Sequence, residues 1–211
     1  MNKVIITSIT GLGLWLICST SLFSEPHRRG FILNFGMGTG YTHIYSKTGD
    51  RVRYDDELAL GSDFRIGWAP TDQYQLYYTH KLTLFDLDDL FRKSEELQEE
   101  NPFAFLILPF LPFAYSHNCA GLGMTYFFKP QAPSFYVDGG FGMTIFPNRQ
   151  IEEVQAGGSV FWGGGYEITP HLTLGCEMMW GFASDDDQYS NEERTTSNAF
   201  SAIVTINFLL Y

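Results

Sequence analysis

The chain is poor in cations, in cysteine and in long apolar runs. Lys and Arg number 13 against 24 Asp and Glu, a formal net charge of −11. A polyanion of this kind is repelled by phosphate backbones, which excludes nucleic acid as a partner. Beyond the N-terminus no apolar run is long enough to cross a bilayer as a helix. Of the 3 cysteines, Cys18 falls in the N-terminal apolar stretch. No acidic spacing matches a calcium-binding helix–loop–helix motif, so no metal ligands and no cofactor are assigned.

What is present is aromatic residues, at 17 %, and 21 glycines, in a chain of 211 residues with the length of one domain. Mean hydropathy is near neutral. Alternation of apolar and small or polar residues explains that average. It is clearest from Leu58 to Leu84. Leu58, Leu60, Phe64, Ile66 and Trp68 share one face, and Ala59, Gly61, Asp63, Arg65 and Gly67 the other. After the turn Ala69–Gln73, Tyr74, Leu76, Tyr78, Leu82 and Leu84 oppose Gln75, Tyr77, Thr79, Lys81 and Thr83. Period two marks extended strands, and Pro70 with Asp72 suits a tight connection.

Bulky residues on one face, with glycine and ionisable residues on the other, are the pattern of a transmembrane β-barrel. Eight such segments are expected: Phe31–Tyr45, Leu58–Trp68, Tyr74–Phe85, Asn118–Phe128, Phe135–Phe146, Gly157–Ile168, Leu172–Gly181 and Asn198–Leu210. Each is about the ten residues that a tilted membrane strand needs. The fold class is therefore all-β, an eight-stranded antiparallel up-and-down transmembrane barrel. Short turns with proline alternate with long polar loops at Ser46–Glu57, Asp86–His117, Pro147–Ala156 and Phe182–Ser197. Short turns face the periplasm and long loops the exterior.

Residues 1–24 read as a secretory signal peptide: Lys3, then the apolar Val4–Cys18, then small residues. The mature chain is expected to begin between Leu22 and Glu25, leaving 25–211 as the barrel domain in an outer membrane. Ile17 before Cys18 argues against lipidation. By parity Cys119 points inward and Cys176 outward, which argues against a bridge. No Asp, Glu, Lys or Arg falls on an outward face, and His80 is expected to be the only outward titratable side chain besides tyrosines and Cys176. Tyr41, Trp68, Tyr74, Phe128, Trp162, Tyr166 and Trp180 fit interfacial aromatic belts. The better lipid face of the last segment turns Tyr211 inward.

The layout, with Gly121-Leu-Gly-Met-Thr-Tyr-Phe-Phe128 before a proline turn and Arg65-Ile-Gly-Trp-Ala-Pro-Thr-Asp72, resembles the superfamily of small eight-stranded outer-membrane barrels that includes the OmpA membrane domain, OmpX/Ail and OmpW. The resemblance covers nearly the whole mature chain. It implies architecture. It implies no anchoring role, because no peptidoglycan-binding segment follows the last strand in this sequence.

Four constellations carry chemistry. Asp63, Arg65, Lys81, Asp138, Glu167 and Glu177 all have inward parity, giving either an internal ion-pair plug or a gated polar passage. Lys81 is expected opposite Gly61 and diagonal to Asp63. Most of the acids lie in the long loops, densest at Asp86–Asp89 and Asp185–Asp187, where they are simply solvated or bridge through divalent cations to lipopolysaccharide. Residues 86–100 are helix-prone and end at Asn101-Pro102. The apolar run that follows contains Phe103, Phe105, Leu106, Phe110 and Phe113. It folds over the barrel mouth, dips into the lipid interface, or forms a patch for an extracellular protein or apolar ligand; the last option would resemble the hydrophobic passage of OmpW-type proteins.

Catalysis is the fourth. Some barrels of this superfamily modify lipid A, and Ser116-His117, Ser62-Asp63 and His43 are the candidates here. The His-x-Ser pattern is absent, since Asn118 and Cys119 follow His117, so no enzyme is expected. The expected partners are outer-membrane lipid and lipopolysaccharide. The expected role is surface interaction or envelope integrity through acidic loops, with a narrow channel as the alternative.

Overall fold

The computed structural model describes residues 28–100, 116–148, 153–185 and 195–211. The expected signal peptide, residues 1–24, and the apolar run with Phe103, Phe105, Leu106, Phe110 and Phe113 lie outside them. Eight strands follow one another: β1 Gly30–Thr48, β2 Arg51–Ala69, β3 Tyr74–Phe85, β4 Ser116–Phe127, β5 Ser134–Asn148, β6 Glu153–Thr169, β7 Leu172–Asp185 and β8 Thr195–Leu210. Each pairs antiparallel with its neighbours, and β1 pairs with β8 from Leu33↔Leu210 to Thr48↔Thr195, so the sheet closes on itself. Closure removes the edges that an open sheet would expose.

The two faces separate as the alternation requires. Leu58, Phe135, Phe141 and Met143 are 81 %, 65 %, 66 % and 68 % exposed, while Asp63, Arg65, Lys81 and Glu177 are buried. The exposed Leu, Phe and Trp side chains ring the outer face of the wall, an arrangement stable only against hydrocarbon. No helix among the described residues is long and apolar enough to cross a membrane; the strands make the crossing. The chain is a transmembrane β-barrel. Cys119 is buried and Cys176 exposed, both as free thiols.

Glycines face the interior where aromatic side chains need room. At Gly123 a Cβ would come within 2.7 Å of the Tyr77 ring and 2.8 Å of Phe161. Two rings are thereby accommodated in a cylinder too narrow for additional side chains.

The first external loop departs from expectation. β1 and β2 continue past the bilayer and meet at Gly49-Asp50, where Gly49 has φ +56°. A strand above the membrane needs no apolar face, so its polar composition resembled a loop. The ladder to β8 supports it as far as Thr48. Asp55, Asp56 and Glu57 are consequently strand residues.

His43 also departs. It points outward, across from Asp56, so His80 is not the sole titratable outward side chain apart from tyrosines and Cys176. In the second loop, helix α1 spans Leu87–Glu100, with Asp88 and Asp89 in its first turn, where the helix dipole favours acids.

Candidate functional site

The β2–β3 ladder puts Lys81 directly opposite Asp63, and Gly61 opposite Thr83. The expected register was off by two residues. The ladder runs from Ala59↔Phe85 to Trp68↔Leu76. Within the turn the Thr71 hydroxyl accepts from the Gln73 and Tyr74 amides at 3.3 and 3.2 Å.

Five of the six interior ionisable residues meet at the barrel's centre. Arg65 donates from Nε to Asp63 Oδ2 at 2.6 Å, and from Nη2 to Glu177. Its Nη1 donates to the Tyr77 hydroxyl at 3.2 Å and Thr125 Oγ1 at 3.3 Å. Nη1 also stands 2.7 Å from Asp138 Oδ2, a charge contact without hydrogen-bond alignment, since neither Asp138 oxygen finds a hydrogen-bond partner. Lys81 Nζ lies 3.0 Å from Asp63 Oδ2 and donates to Glu177. Thr79 donates to Asp63 Oδ1 at 2.9 Å. The guanidinium sits 4.8 Å from the Tyr77 ring centre, and the Lys81 ammonium 5.0 Å from that of Phe161. Three carboxylates therefore share two cations in a site from which water is largely excluded, where each charge needs its partners.

Glu167 is not in this group. It faces the interior near the short-turn end and accepts from Arg28, whose Nε donates to Oε1 at 2.8 Å and whose Nη2 donates to Oε2. Arg28 Nη1 donates to the carbonyls of Asp72 and Lys129, each at 2.8 Å, and the backbone amide of Arg28 donates to Asp72 Oδ1 at 3.1 Å. The guanidinium covers Phe127 at 4.2 Å. One side chain thus ties two short turns and the end of β6 together. Nothing in the sequence marks Arg28, which precedes the first alternating segment. Tyr77, Thr79 and Thr125, by contrast, had inward parity. Tyr211 turns inward and accepts from Gln75 Nε2 at 3.0 Å.

Above the ions lies a neutral polar layer. His117 Nδ1 and Ser201 Oγ are 2.9 Å apart, and Ser201 Oγ is 2.9 Å from Thr42 Oγ1. β4 begins at Ser116, so His117 belongs to a strand and faces inward rather than ending the second loop. Its partner is Ser201, not Ser116. Both are fully buried, out of reach of a substrate. Ser62 and Asp63 lie on opposite faces of β2. His43 contacts Asp56 on the outer wall at 2.5 Å.

Toward the exterior the lumen turns apolar, with Ile44, Ala59, Phe85, Phe146, Ala183 and Ala199 packed together. Phe85 and Phe146 are 1 % and 0 % exposed. The interior is thus filled in layers: the Arg28–Glu167 pair, the five-membered ion cluster, the His117 layer, and an apolar collar. Among the described residues no group of three or more His, Cys, Asp or Glu is placed to hold a metal ion.

The fold and its filled interior define a small eight-stranded membrane barrel of the outer-membrane type. No family model matches the chain, and no curated protein aligns with it. It is similar to several solved structures. One is the outer membrane protein OprG from Pseudomonas aeruginosa, at 10 % identity over 89 % of this chain and 100 % of that one, with a TM-score of 0.41. Another is Ail, the attachment invasion locus protein of Yersinia pestis, in complex with the heparin analogue sucrose octasulfate, at 7 % identity over 83 % and 99 %, with a TM-score of 0.38. A third is AlkL in lipid bilayers, at 10 % identity over 89 % and 93 %, with a TM-score of 0.42. At these values the class rests on the barrel's own geometry.

Proposed function

We propose that this protein is a closed outer-membrane barrel that acts through its extracellular segments, as a surface-contact or envelope-integrity protein rather than a transporter or enzyme. The observation behind this reading is the filled lumen. Conduction would require the Arg65 and Lys81 pairs to part, and Phe85 and Phe146 to leave the collar as well. The only buried His–Ser contact described, His117 with Ser201, lies beneath that collar.

The external acids support the same reading. Asp88 and Asp89 on α1 and Asp55 and Asp56 on the β1–β2 extension add to the negative field of a chain with net charge −11. Such a surface repels polyanions such as heparin and meets lipopolysaccharide through divalent cations. Planar-bilayer recording of the purified barrel tests the closed interior. The expected result is no unitary current; a steady current from the wild type would establish the channel reading instead. Deleting 102–114 or neutralising the α1 acids should reduce cell-surface adhesion or serum resistance while leaving the barrel folded. Altered lipid A mass spectra on expression would point to an enzyme.

A further inference from the structure

The lipid-facing wall is not uniform. On the outer side of β5, β6, β7 and β8 there is a groove of about 630 Å³. Its walls are Phe135, Val137, Tyr166, Leu174 and Val204, with Cys176 toward the floor. Gly165 and Gly175 also line it, as does Gly164, directly across the ladder from Cys176. Where neighbouring positions carry bulky side chains, this one carries none, so the wall is indented down to its backbone. The Phe135 and Tyr166 rings stand 4.8 Å apart at one end.

That end is periplasmic. Phe128 and Phe135, both lining the groove, flank the short turn 129–134. Lys129, next to Phe128, is exposed there. Its backbone carbonyl is held by Arg28 and its amide donates to Ser134 Oγ at 2.9 Å, so the Lys129 backbone is fixed beside Phe128, which lines the groove. An uncharged apolar slot beginning beneath a cation at the membrane surface has the polarity of an anionic glycerophospholipid: phosphate outside, acyl chain within.

We propose that this groove is a binding site for one phospholipid of the periplasmic leaflet, its headgroup phosphate on Lys129 and one acyl chain seated over Gly164 and Cys176. The other candidate occupant is a second copy of the chain. The exposed Lys129 beside the groove matches a phosphate, whereas a second barrel would bring only its own apolar girdle to it.

Native mass spectrometry of the folded barrel, supplied with dipalmitoyl phosphatidylglycerol or dipalmitoyl phosphatidylcholine, tests this. The wild type should retain one lipid and prefer phosphatidylglycerol. Cys176→Trp fills the slot and should reduce retention by about tenfold or more, since several methylenes lose their seat. Val204→Phe serves as a second filling variant should the first fold poorly, folding being checked by heat-modified gel mobility. Lys129→Glu should abolish the preference for phosphatidylglycerol. Leu122→Trp, on another part of the girdle, should change nothing. Equal retention in wild type and both filling variants overturns the proposal, as does equal loss in Leu122→Trp. A dimer without bound lipid, lost in Cys176→Trp, would assign the groove to a second copy.

Discussion

Lys81 lies directly across the β2–β3 ladder from Asp63, its ammonium 3.0 Å from Oδ2, while also reaching Glu177 on the far side of the lumen. One cation therefore joins adjacent strands and spans the barrel. Lys81→Ala would leave three carboxylates facing Arg65 alone. Breaking a buried pair by removing one partner costs about 3–5 kcal/mol. The urea midpoint of the barrel folded in vesicles should fall accordingly. Combining Lys81→Met with Glu177→Gln should recover part of the loss, because the surplus charge leaves with its partner. An unchanged midpoint in Lys81→Ala would refute the plug.

Arg28 makes the corresponding argument at the short-turn end of the barrel. Arg28→Ala abandons buried Glu167 and frees the Asp72 and Lys129 carbonyls, for a loss of about 3–5 kcal/mol. Arg28→Lys should restore only part, because an ammonium lacks the fork that serves a carboxylate and two carbonyls together. Unfolding titrations of both variants distinguish this from a general charge effect, for which lysine would suffice.

The orientation of the wall is tested by charge. Leu122 lies near the middle of β4 and is 58 % exposed. Leu122→Arg should cost about 2–4 kcal/mol, the expense of an arginine at the bilayer midplane. Val52→Arg, on the same outward face but above the membrane, should stay within about 0.5 kcal/mol of wild type. Equal effects at the two positions would mean that lipid does not surround the girdle.

Asp56 stands where β2 leaves the membrane, accepting from the Tyr41 hydroxyl and contacting His43 Nδ1 at 2.5 Å. The Tyr41 hydrogen bond, followed by that of His43, holds its carboxyl below the usual carboxylate range. A carboxylate whose pKa is depressed on folding adds stability above its unfolded pKa, about 3.9, and that stability is lost as pH falls through the lower folded value. Unfolding midpoints measured from pH 6 down to pH 2 should therefore drop less steeply in Asp56→Asn than in the wild type. An identical pH dependence would show that Asp56 gains nothing from its partners.

The sequence by itself determined the strand count, the closed all-β class and the face on which nearly every strand residue sits. Inside or outside follows from period two within a single strand, a local property of extended backbone. That is why Asp63, Arg65, Lys81, Asp138, Glu167, Glu177, Cys119 and Cys176 could be assigned a side without coordinates. Only the tertiary structure decided which inward residues meet. Glu167 shares the inward parity of Glu177, yet stands at the short-turn end beside Arg28, because position along the barrel axis depends on the stagger of successive strands. His117 finds Ser201, 84 residues away, across a lumen no local pattern describes. The Lys81 register and the height of the β1–β2 hairpin likewise came from turn geometry and inter-strand pairing, which are properties of the assembled cylinder rather than of any one segment.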